Sequence, residues 1–346
     1  MKVLAGDVGG THARLAAVDV DGTTVRVGRF REYESRAFPA IAPIVVDFIS
    51  RGDESFERAT FGVACPVTDG DCVTPNLPWK VSARTIASET GIAATSVIND
   101  LHAMAYGVTR MRSADLVPLQ EAEPVPDGVI ALIGAGTGLG QAYLAWDGSR
   151  YRAFASEGGH ATFAPRTTQE WELRNAIASE HGHVSYERVV SGQGIENIYR
   201  FLVSVEGARE DPAVAAAVRA EGAVAISRSG LDGSDPICVE ALKMFAAAYG
   251  SQAGNLALHV LATGGVYLVG GIAKAMAARL RGDGIFMTAF RDKGRMGELL
   301  SRIPVNVVVN AHIGLVGAAV AACEDAPEND DSGAGAPNEK RILGAS

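Results

Sequence analysis

Two glycine-rich segments have the composition to hold a polyphosphate. They run Gly6-Asp7-Val8-Gly9-Gly10-Thr11 and Gly134-Ala135-Gly136-Thr137-Gly138-Leu139-Gly140. Each would present backbone N–H groups with no side chain in front of them, together with one threonine hydroxyl. Because glycine lets backbone amides approach phosphate oxygens closely, two such loops suit a nucleotide. An ordinary tight hairpin explains either loop alone, and explains the two together less well.

Neither loop carries one of the common nucleotide-binding signatures. The dinucleotide motif G-x-G-x-x-G would need a glycine at 139, where leucine stands, and a helix after it, where the pattern is that of a strand. A Walker loop is excluded because neither segment contains G-K-[ST]. In the first loop the Asp7 carboxylate is suited to hold Mg²⁺ directly or through water, since Mg²⁺ prefers oxygen ligands and keeps several waters.

A carboxylate suited to general-base chemistry follows a buried strand at residues 96–98. Asn99 and Asp100 stand at its end, where polar groups often face a crevice. The alternative is that Asn99 forms a turn and Asp100 caps the next helix.

Glu157 and His160 enclose two glycines and form a second polar group. They could be incidental turn residues, metal ligands or partners of hydroxyl groups. No third His or Cys is suitably spaced for a metal, so hydrogen bonding to hydroxyls is the simpler use. His181 and His183 resemble a metal pair but are expected to end a helix. Glu187 opens the next helical stretch, and its role depends on its neighbours.

The pair Gly270-Gly271 stands where a predicted strand passes into a helix. Bare backbone there could let a flat adenine lie against it. Close packing of helix on strand explains the same residues equally well.

The surrounding pattern predicts two similarly built α/β halves with a cleft between them, because a strand, a glycine hairpin and a strand occur at 2–18 and again at 129–146. The segment 117–127, with three prolines and three acidic residues, is predicted to be a linker or surface excursion. Further strands are predicted at 61–64, 96–98, 265–269 and 304–309. Helices are predicted at 39–51, 82–90, 101–109, 168–180, 194–204, 211–227, 236–262 and 313–322.

Charge and composition exclude several classes of partner. The net charge of −9 gives no electrostatic basis for binding nucleic acid or an anionic membrane. No charged residue occurs between Lys243 and Lys274, but Gln252, Asn255 and His259 interrupt that stretch. It is therefore predicted to be a buried helix and strand and not a membrane span.

The cysteines and the N-terminus indicate a reducing compartment. Cys65, Cys72, Cys238 and Cys323 form no C-x-x-C pair, so free thiols are expected. The first residues turn acidic too soon for a signal peptide, and a cytoplasmic protein is expected.

Taken in order, these motifs resemble the bacterial ATP-dependent glucokinases of the sugar-kinase, hexokinase and actin-like ATPase superfamily, over residues 3 to about 320. Besides the two loops, the resemblance includes Val63-Ala-Cys-Pro66, Val97-Ile-Asn-Asp100, Glu157-Gly-Gly-His160, His183-Val-Ser-Tyr-Glu-Arg188 and Gly264 to Gly271. Two positions depart from the family pattern: His12 replaces a usual asparagine, and Thr162 replaces a common aspartate. The N-terminal DNA-binding helices and cysteine-rich zinc loop of related repressors have no counterpart here.

The resemblance implies an α/β fold of two ribonuclease-H-like domains with an interdomain cleft, which closes when sugar binds. The small domain would comprise residues 1–110 and 312–323, and the large domain 111–311, with an acidic, disordered tail at 324–346. Asp100 would be the general base that takes the proton of the glucose 6-hydroxyl as it attacks the γ-phosphorus of MgATP. The sugar would be bound by Asn99, Asp100, Glu157, His160 and Glu187. ATP would be held by Gly6, Asp7, Val8, Gly9, Gly10, Thr11, Gly136, Thr137, Gly138, Gly270 and Gly271, with Mg²⁺ on Asp7.

Three alternatives remain open from the sequence. The substrate could be another hexose, such as mannose, fructose or N-acetylglucosamine, because the walls of the pocket cannot be inferred. The protein could be a sugar sensor without catalysis, although Asp100 and both loops are intact. A nicotinamide oxidoreductase is the remaining alternative. A homodimer is also expected.

Overall fold

The computed structural model describes residues 1–74, 77–204 and 207–324. Its strands are β1 (Lys2–Val8), β2 (His12–Asp21), β3 (Thr24–Glu34), β4 (Arg58–Val63), β5 (Asp71–Val73), β6 (Lys80–Ser82), β7 (Ala94–Asn99), β8 (Leu116–Gln120), β9 (Ile130–Ala135), β10 (Leu139–Trp146), β11 (Tyr151–Ser156), β12 (Gly265–Val269) and β13 (Val305–Val308). Its α-helices are α1 (Ile41–Ser50), α2 (Ala83–Thr90), α3 (Asp100–Val108), α4 (Thr168–His181), α5 (Gly192–Ser204), α6 (Pro212–Glu221), α7 (Ala223–Leu231), α8 (Pro236–Val260), α9 (Gly271–Gly282), α10 (Ile285–Arg291), α11 (Gly297–Leu300) and α12 (Ile313–Glu324). Apart from Glu324, the predicted disordered tail lies outside the described residues.

Two sheets share one strand order, which confirms the prediction of similarly built halves. The first sheet runs β3-β2-β1-β4-β7, and the second runs β11-β10-β9-β12-β13 with β8 added at its edge. In each sheet the three strands of the hairpin region are antiparallel, and the next two are parallel to the central one. The glycine-rich turns β1–β2 and β9–β10 therefore occupy equivalent places in the two sheets.

The central strands are apolar runs because both of their faces are covered. Every residue of β9 is buried, as are most of β1 and β4. Strands covered on both faces lose the polar alternation of a solvated sheet. The 25-residue helix α8 is buried along much of its length, in the core of the second sheet. Among the described residues, no helix is long and apolar enough to cross a membrane.

The structure corrects three predictions. Residues 117–120 of the expected linker belong to β8, which pairs with β13, and the buried Gln120 donates to the carbonyl of Leu300 at 2.8 Å. The predicted helix at 211–227 is two helices, because Gly222 adopts a φ of +57° between them. Cys65 and Cys72 form a disulfide and are not free thiols, while Cys238 and Cys323 are free as predicted.

Helices α3 and α12 connect the two sheets. The chain passes to the second sheet after α3 and returns to the first with α12, which packs on β1, β4 and α3. Helix α3 itself packs on β4 of the first sheet and on β10 and β11 of the second. The crossing of α3 with α12 is close because small residues meet there: a Cβ at Gly317 would overlap the carbonyl of Ala103 and lie 2.7 Å from the backbone nitrogen of Gly107.

Replacing Gly317 by alanine tests this crossing. The added methyl has no room against the backbone of α3, so Gly317→Ala should lower the free energy of unfolding by about 1–3 kcal/mol, measured by urea denaturation. Gly282→Ala is the matched control, since a Cβ there would meet nothing within 4 Å in the described part of the chain. Equal stability of the two variants would contradict the close crossing.

Candidate active site

Three parallel strands of the first sheet bring polar residues to one edge. The register aligns Val8 of β1 with Val63 of β4, and Val63 with Asn99 of β7. Ligands of open α/β sheets bind outside the carboxyl ends of such strands. Asp7 and the pair Asn99-Asp100 therefore face the same crevice.

Hydrogen bonds to both the oxygen and the nitrogen of its side-chain amide hold Asn99 in place. As the N-cap of α3, its Oδ1 accepts hydrogen bonds from the backbone N–H groups of Leu101 at 2.9 Å and His102 at 3.3 Å. Its Nδ2 donates to the carbonyl of Cys65 at 3.2 Å. An amide nitrogen has two hydrogens, so the second can serve a ligand. The helix cap is thus Asn99, whereas the sequence alternative had assigned it to Asp100.

The Asp100 carboxyl group has the protonation behaviour of a general base. It is the first residue of α3, and its Oδ1 accepts the N–H of Leu101 at 2.8 Å. Burial raises the pKa of Asp100; the hydrogen bond from Leu101 partly offsets this effect and the negative charge of Asp7 adds to it, so that the pKa is about 6. A base with a pKa close to the working pH is deprotonated and still able to take a proton.

Asp7 lies at the end of β1, opposite Arg14 of β2. Burial raises the pKa of the Asp7 carboxyl group, while the charges of Arg14 and His312 lower it, Arg14 Nη1 being 3.7 Å from Asp7 Oδ2. The side chain remains 20% exposed, so a cation can reach it. Arg14 and His312 were not identified from the sequence, because neither belongs to a glycine loop or a polar cluster.

The first glycine loop is a tight turn that is held by two hydrogen bonds of Gly9. The N–H of Gly9 donates to the carbonyl of His12 at 2.9 Å, and the carbonyl of Gly9 accepts the Ser35 hydroxyl at 2.9 Å. Gly6, Val8, Gly10 and Thr11 lie in β1 or in this turn. The predicted residues of the first phosphate loop are thus adjacent in space as well as in sequence.

The second glycine loop has free space in front of it. Gly136 donates to the carbonyl of Gly138 at 2.8 Å, and its own carbonyl accepts the N–H of Gly192, the first residue of α5, at 2.8 Å. A Cβ at Gly136 would meet no atom within 4 Å in the described ranges. Packing of the chain therefore does not require this glycine, whereas a ligand on the loop would. Thr137 occupies the tip.

Glycine is required by the backbone conformation at Gly270 but not at Gly271. Gly270 has a φ of +92° and caps α9, so its glycine is needed for the backbone conformation. A Cβ at Gly271 would enter open space, as judged from the residues that are described. The first turn of α9 is thus open to a ligand, as the prediction for adenosine requires.

The structure brings Glu157, His160 and Glu187 together in one cluster. His160 Nε2 lies 3.7 Å from Glu157 Oε2, and His160 Nδ1 lies 3.9 Å from Glu187 Oε1. All three side chains are accessible to solvent, Glu187 least. His183 is not paired with His181 as a metal site: its Nε2 lies 3.3 Å from the carbonyl oxygen of His160, and His181 ends α4 as predicted.

This cluster contacts the second glycine loop directly. Glu187 Oε2 accepts the backbone N–H of Leu139 at 2.9 Å, and a Cβ at Gly138 would overlap the same oxygen. The other half of the site meets that hairpin through α3, because the Leu101 side chain lies 2.8 Å from where a Cβ of Gly140 would be.

Among the described residues, no group of three or more His, Cys, Asp or Glu could hold a metal alone. A carboxylate that shares Mg²⁺ with phosphates and water needs no such group.

The fold and the site together define a class. Two ribonuclease-H-like sheets of one strand order, each with a glycine-rich hairpin, are the fold of a sugar kinase of the actin-like ATPase superfamily. The family model described as Glucokinase matches residues 4–325. The chain belongs to the glucokinase family.

Known proteins agree with this membership. The chain is 42% identical to a glucokinase of Synechocystis sp., over 94% of this chain and 98% of that protein, and 40% identical to one of Nostoc sp., over 92% and 98%. The crystal structure of glucokinase from an Antarctic psychrotroph superposes with a TM-score of 0.82 at 30% identity, covering 93% of this chain and 99% of that one. A ROK family glucokinase from Streptomyces griseus, solved with glucose and AMPPNP, shares the fold, with a TM-score of 0.63 at 21% identity over 94% and 100%.

Replacing Asp7 by asparagine tests the electrostatic coupling of the two aspartates. Removal of the Asp7 charge makes the Asp100 carboxylate easier to form, so Asp7→Asn should lower the pKa of Asp100 below about 6. Because burial is the larger cause, that pKa should stay above the ordinary aspartate value. Side-chain carboxyl ¹³C NMR measures it. Asp19→Asn removes a charge that is paired with Lys2 and should leave Asp100 unchanged; the same result in Asp7→Asn would contradict the coupling.

Proposed function

We propose that the chain transfers the γ-phosphoryl group of MgATP to the 6-hydroxyl of glucose, giving glucose 6-phosphate and ADP. The observation that carries this proposal is membership of the glucokinase family over nearly the whole described chain. It is supported by a structural neighbour, the Streptomyces griseus enzyme, which was solved with glucose and a nucleotide analogue.

Asp100 would act as the general base. Its carboxylate, with a pKa of about 6, is mostly deprotonated at neutral pH and takes the proton of the 6-hydroxyl as that oxygen attacks phosphorus. The proton ends on Asp100, and ADP leaves. Asn99, Glu157, His160 and Glu187 would hold the other sugar hydroxyls, because carboxylates, an amide and an imidazole together supply the donors and acceptors that a pyranose needs.

The nucleotide would lie between the two glycine hairpins. The N–H groups of Gly9 and Gly136 already donate within their loops, so those of Gly10, Thr11, Thr137 and Gly138 would bind the phosphate oxygens. The first turn of α9 would lie beside the adenosine. Asp7 fits Mg²⁺, which when bound supplies charge neutralisation on the phosphates. The domain boundaries given above, the homodimer and the cytoplasmic location stay predictions.

A substrate panel tests the proposed activity. ADP release is measured by a coupled assay with ATP and glucose, mannose, fructose or N-acetylglucosamine. We expect release to depend on an added hexose and to be fastest with glucose. Faster release with another hexose would replace the substrate, and no release with any hexose would favour the non-catalytic sensor.

Asp100→Asn should lower kcat by about 10²–10⁴-fold while leaving the affinity for glucose largely intact. The amide keeps the shape of the side chain and removes its ability to accept the proton. Steady-state kinetics measure kcat, and glucose-dependent thermal stabilisation measures binding. Near-normal turnover would show that another group is the base.

The pH profile provides the control for this assignment. Since the base must be ionised, kcat/KM for glucose in the wild type should rise with pH through about 6 and level off above it. The residual activity of Asp100→Asn should lack this step.

Two glycine variants in the second glycine loop distinguish its contact with the sugar-binding residues from its contact with the nucleotide. In Gly138→Ala the methyl would displace Glu187 from the N–H of Leu139, so KM for glucose should rise about tenfold. In Gly136→Ala the methyl enters only the open ligand-facing space, so KM for ATP should rise and KM for glucose should not. The same kinetic pattern in both variants would contradict the assignment.

A further inference from the structure

Helix α8 carries polar residues that neither the proposed chemistry nor the core explains. In the uncharged stretch after Lys243, Gln252 and Asn255 stand three positions apart. Gln252 is 3% exposed, although glutamine is seldom buried so completely without a partner. His259, one turn further along α8, is exposed to solvent. The exposed His259 needs no special explanation, whereas the polar side chains of the buried Gln252 and the half-buried Asn255 do.

Gln252 contacts the segment that carries Glu157 and His160. Its Nε2 donates to the backbone carbonyl of Gly158 at 3.3 Å. Residues 158–160 form a single 3₁₀ turn with few internal hydrogen bonds. An outside donor on its first carbonyl thus helps to set the height and tilt of the turn relative to α8.

Asn255 contacts the segment that carries Glu187. Its Nδ2 donates to the hydroxyl of Tyr186 at 3.1 Å, and Tyr186 is the residue before Glu187. The same nitrogen also donates to Gln252 Oε1 at 3.1 Å. One turn earlier, the buried Tyr249 donates its hydroxyl to the carbonyl of Ile133, in the strand that leads to the second glycine loop. One face of α8 thus makes hydrogen bonds to the segments that carry Glu157 and Glu187 and to the strand before the second glycine loop.

We propose that Gln252 and Asn255 are positioning residues for sugar recognition. Joined to each other, they hold residues 157–160 and 186–187 at a fixed separation, and so set where Glu157, His160 and Glu187 meet the sugar hydroxyls. They act through these segments and not by contact with the sugar. This inference rests on the proposed function, since it assigns a role in glucose binding.

The test removes each hydrogen bond with little change of volume. Gln252→Met removes the donor to Gly158, and Tyr186→Phe removes the hydroxyl that accepts from Asn255. Each should raise KM for glucose about three- to tenfold and leave KM for ATP within about twofold, because the loss of one hydrogen bond loosens only the sugar-binding segments. His259→Ala, on the same helix, is the matched control and should change neither constant.

A double-mutant cycle distinguishes positioning from general destabilisation. Asn255→Leu and Tyr186→Phe remove the two ends of one hydrogen bond, so their combination should raise KM for glucose less than the product of the single effects. If Asn255→Leu does not fold, the KM values of Tyr186→Phe and Gln252→Met still test whether these residues position the sugar-binding segments. Unchanged KM for glucose in both, or equal changes of both KM values, would overturn the inference.

The wild type separates this inference from the proposed function. Absence of glucose-dependent ADP release in the wild type would overturn both. An active wild type whose Gln252→Met and Tyr186→Phe variants keep its KM for glucose would overturn the inference alone.

Discussion

The removal of the Asp100 carboxyl group from water is the constraint on which the site depends. A buried carboxylate is costly unless nearby N–H groups stabilise its charge, and the first turn of α3 supplies one from Leu101. That turn can lie at the sheet only because Gly62 has no side chain, since a Cβ there would lie 2.9 Å from the Cβ of Ala103. Asn99 completes the arrangement by capping the helix and bonding to Cys65. The position of the Asp100 carboxyl group, its raised pKa and the packing of α3 on the first sheet therefore depend on one another.

The structure distinguishes glycines that close packing requires from glycines that it does not require. At Gly62, Gly140 and Gly317 a methyl would meet atoms of the protein itself, so these residues let helices and strands approach closely. At Gly136 and Gly271 a methyl would meet nothing in the described chain, so packing does not account for these two glycines. A composition with 40 glycines could indicate the need for bare backbone but could not assign it to packing or to binding.

The buried central strands and the polar clusters were predictable, because apolar runs and local motifs are properties of neighbouring residues. The edge strands were not. Strand β3 is rich in charged residues and is held by pairing with β2, including an ion pair of 2.7 Å between Arg14 and Glu32, while β8 lies in an acidic, proline-containing segment. The contact of Glu187 with Leu139 joins residues 48 positions apart in the chain, and the disulfide of Cys65 with Cys72, 7 positions apart, depends on how the connection between them turns. Such through-space pairings leave no periodic trace in the sequence.

The two passages of the chain between the sheets have a kinematic consequence. Two bodies joined at two points keep one easy degree of freedom, a rotation about the line through those points. Here the points are the end of α3 and the start of α12, and their backbones touch where Gly107 and Gly317 meet. Shear and translation of one sheet over the other would break that crossing, whereas rotation about it would not. If the two sheets open, we therefore expect them to rotate about this one axis, with the two glycine hairpins on opposite sides of it.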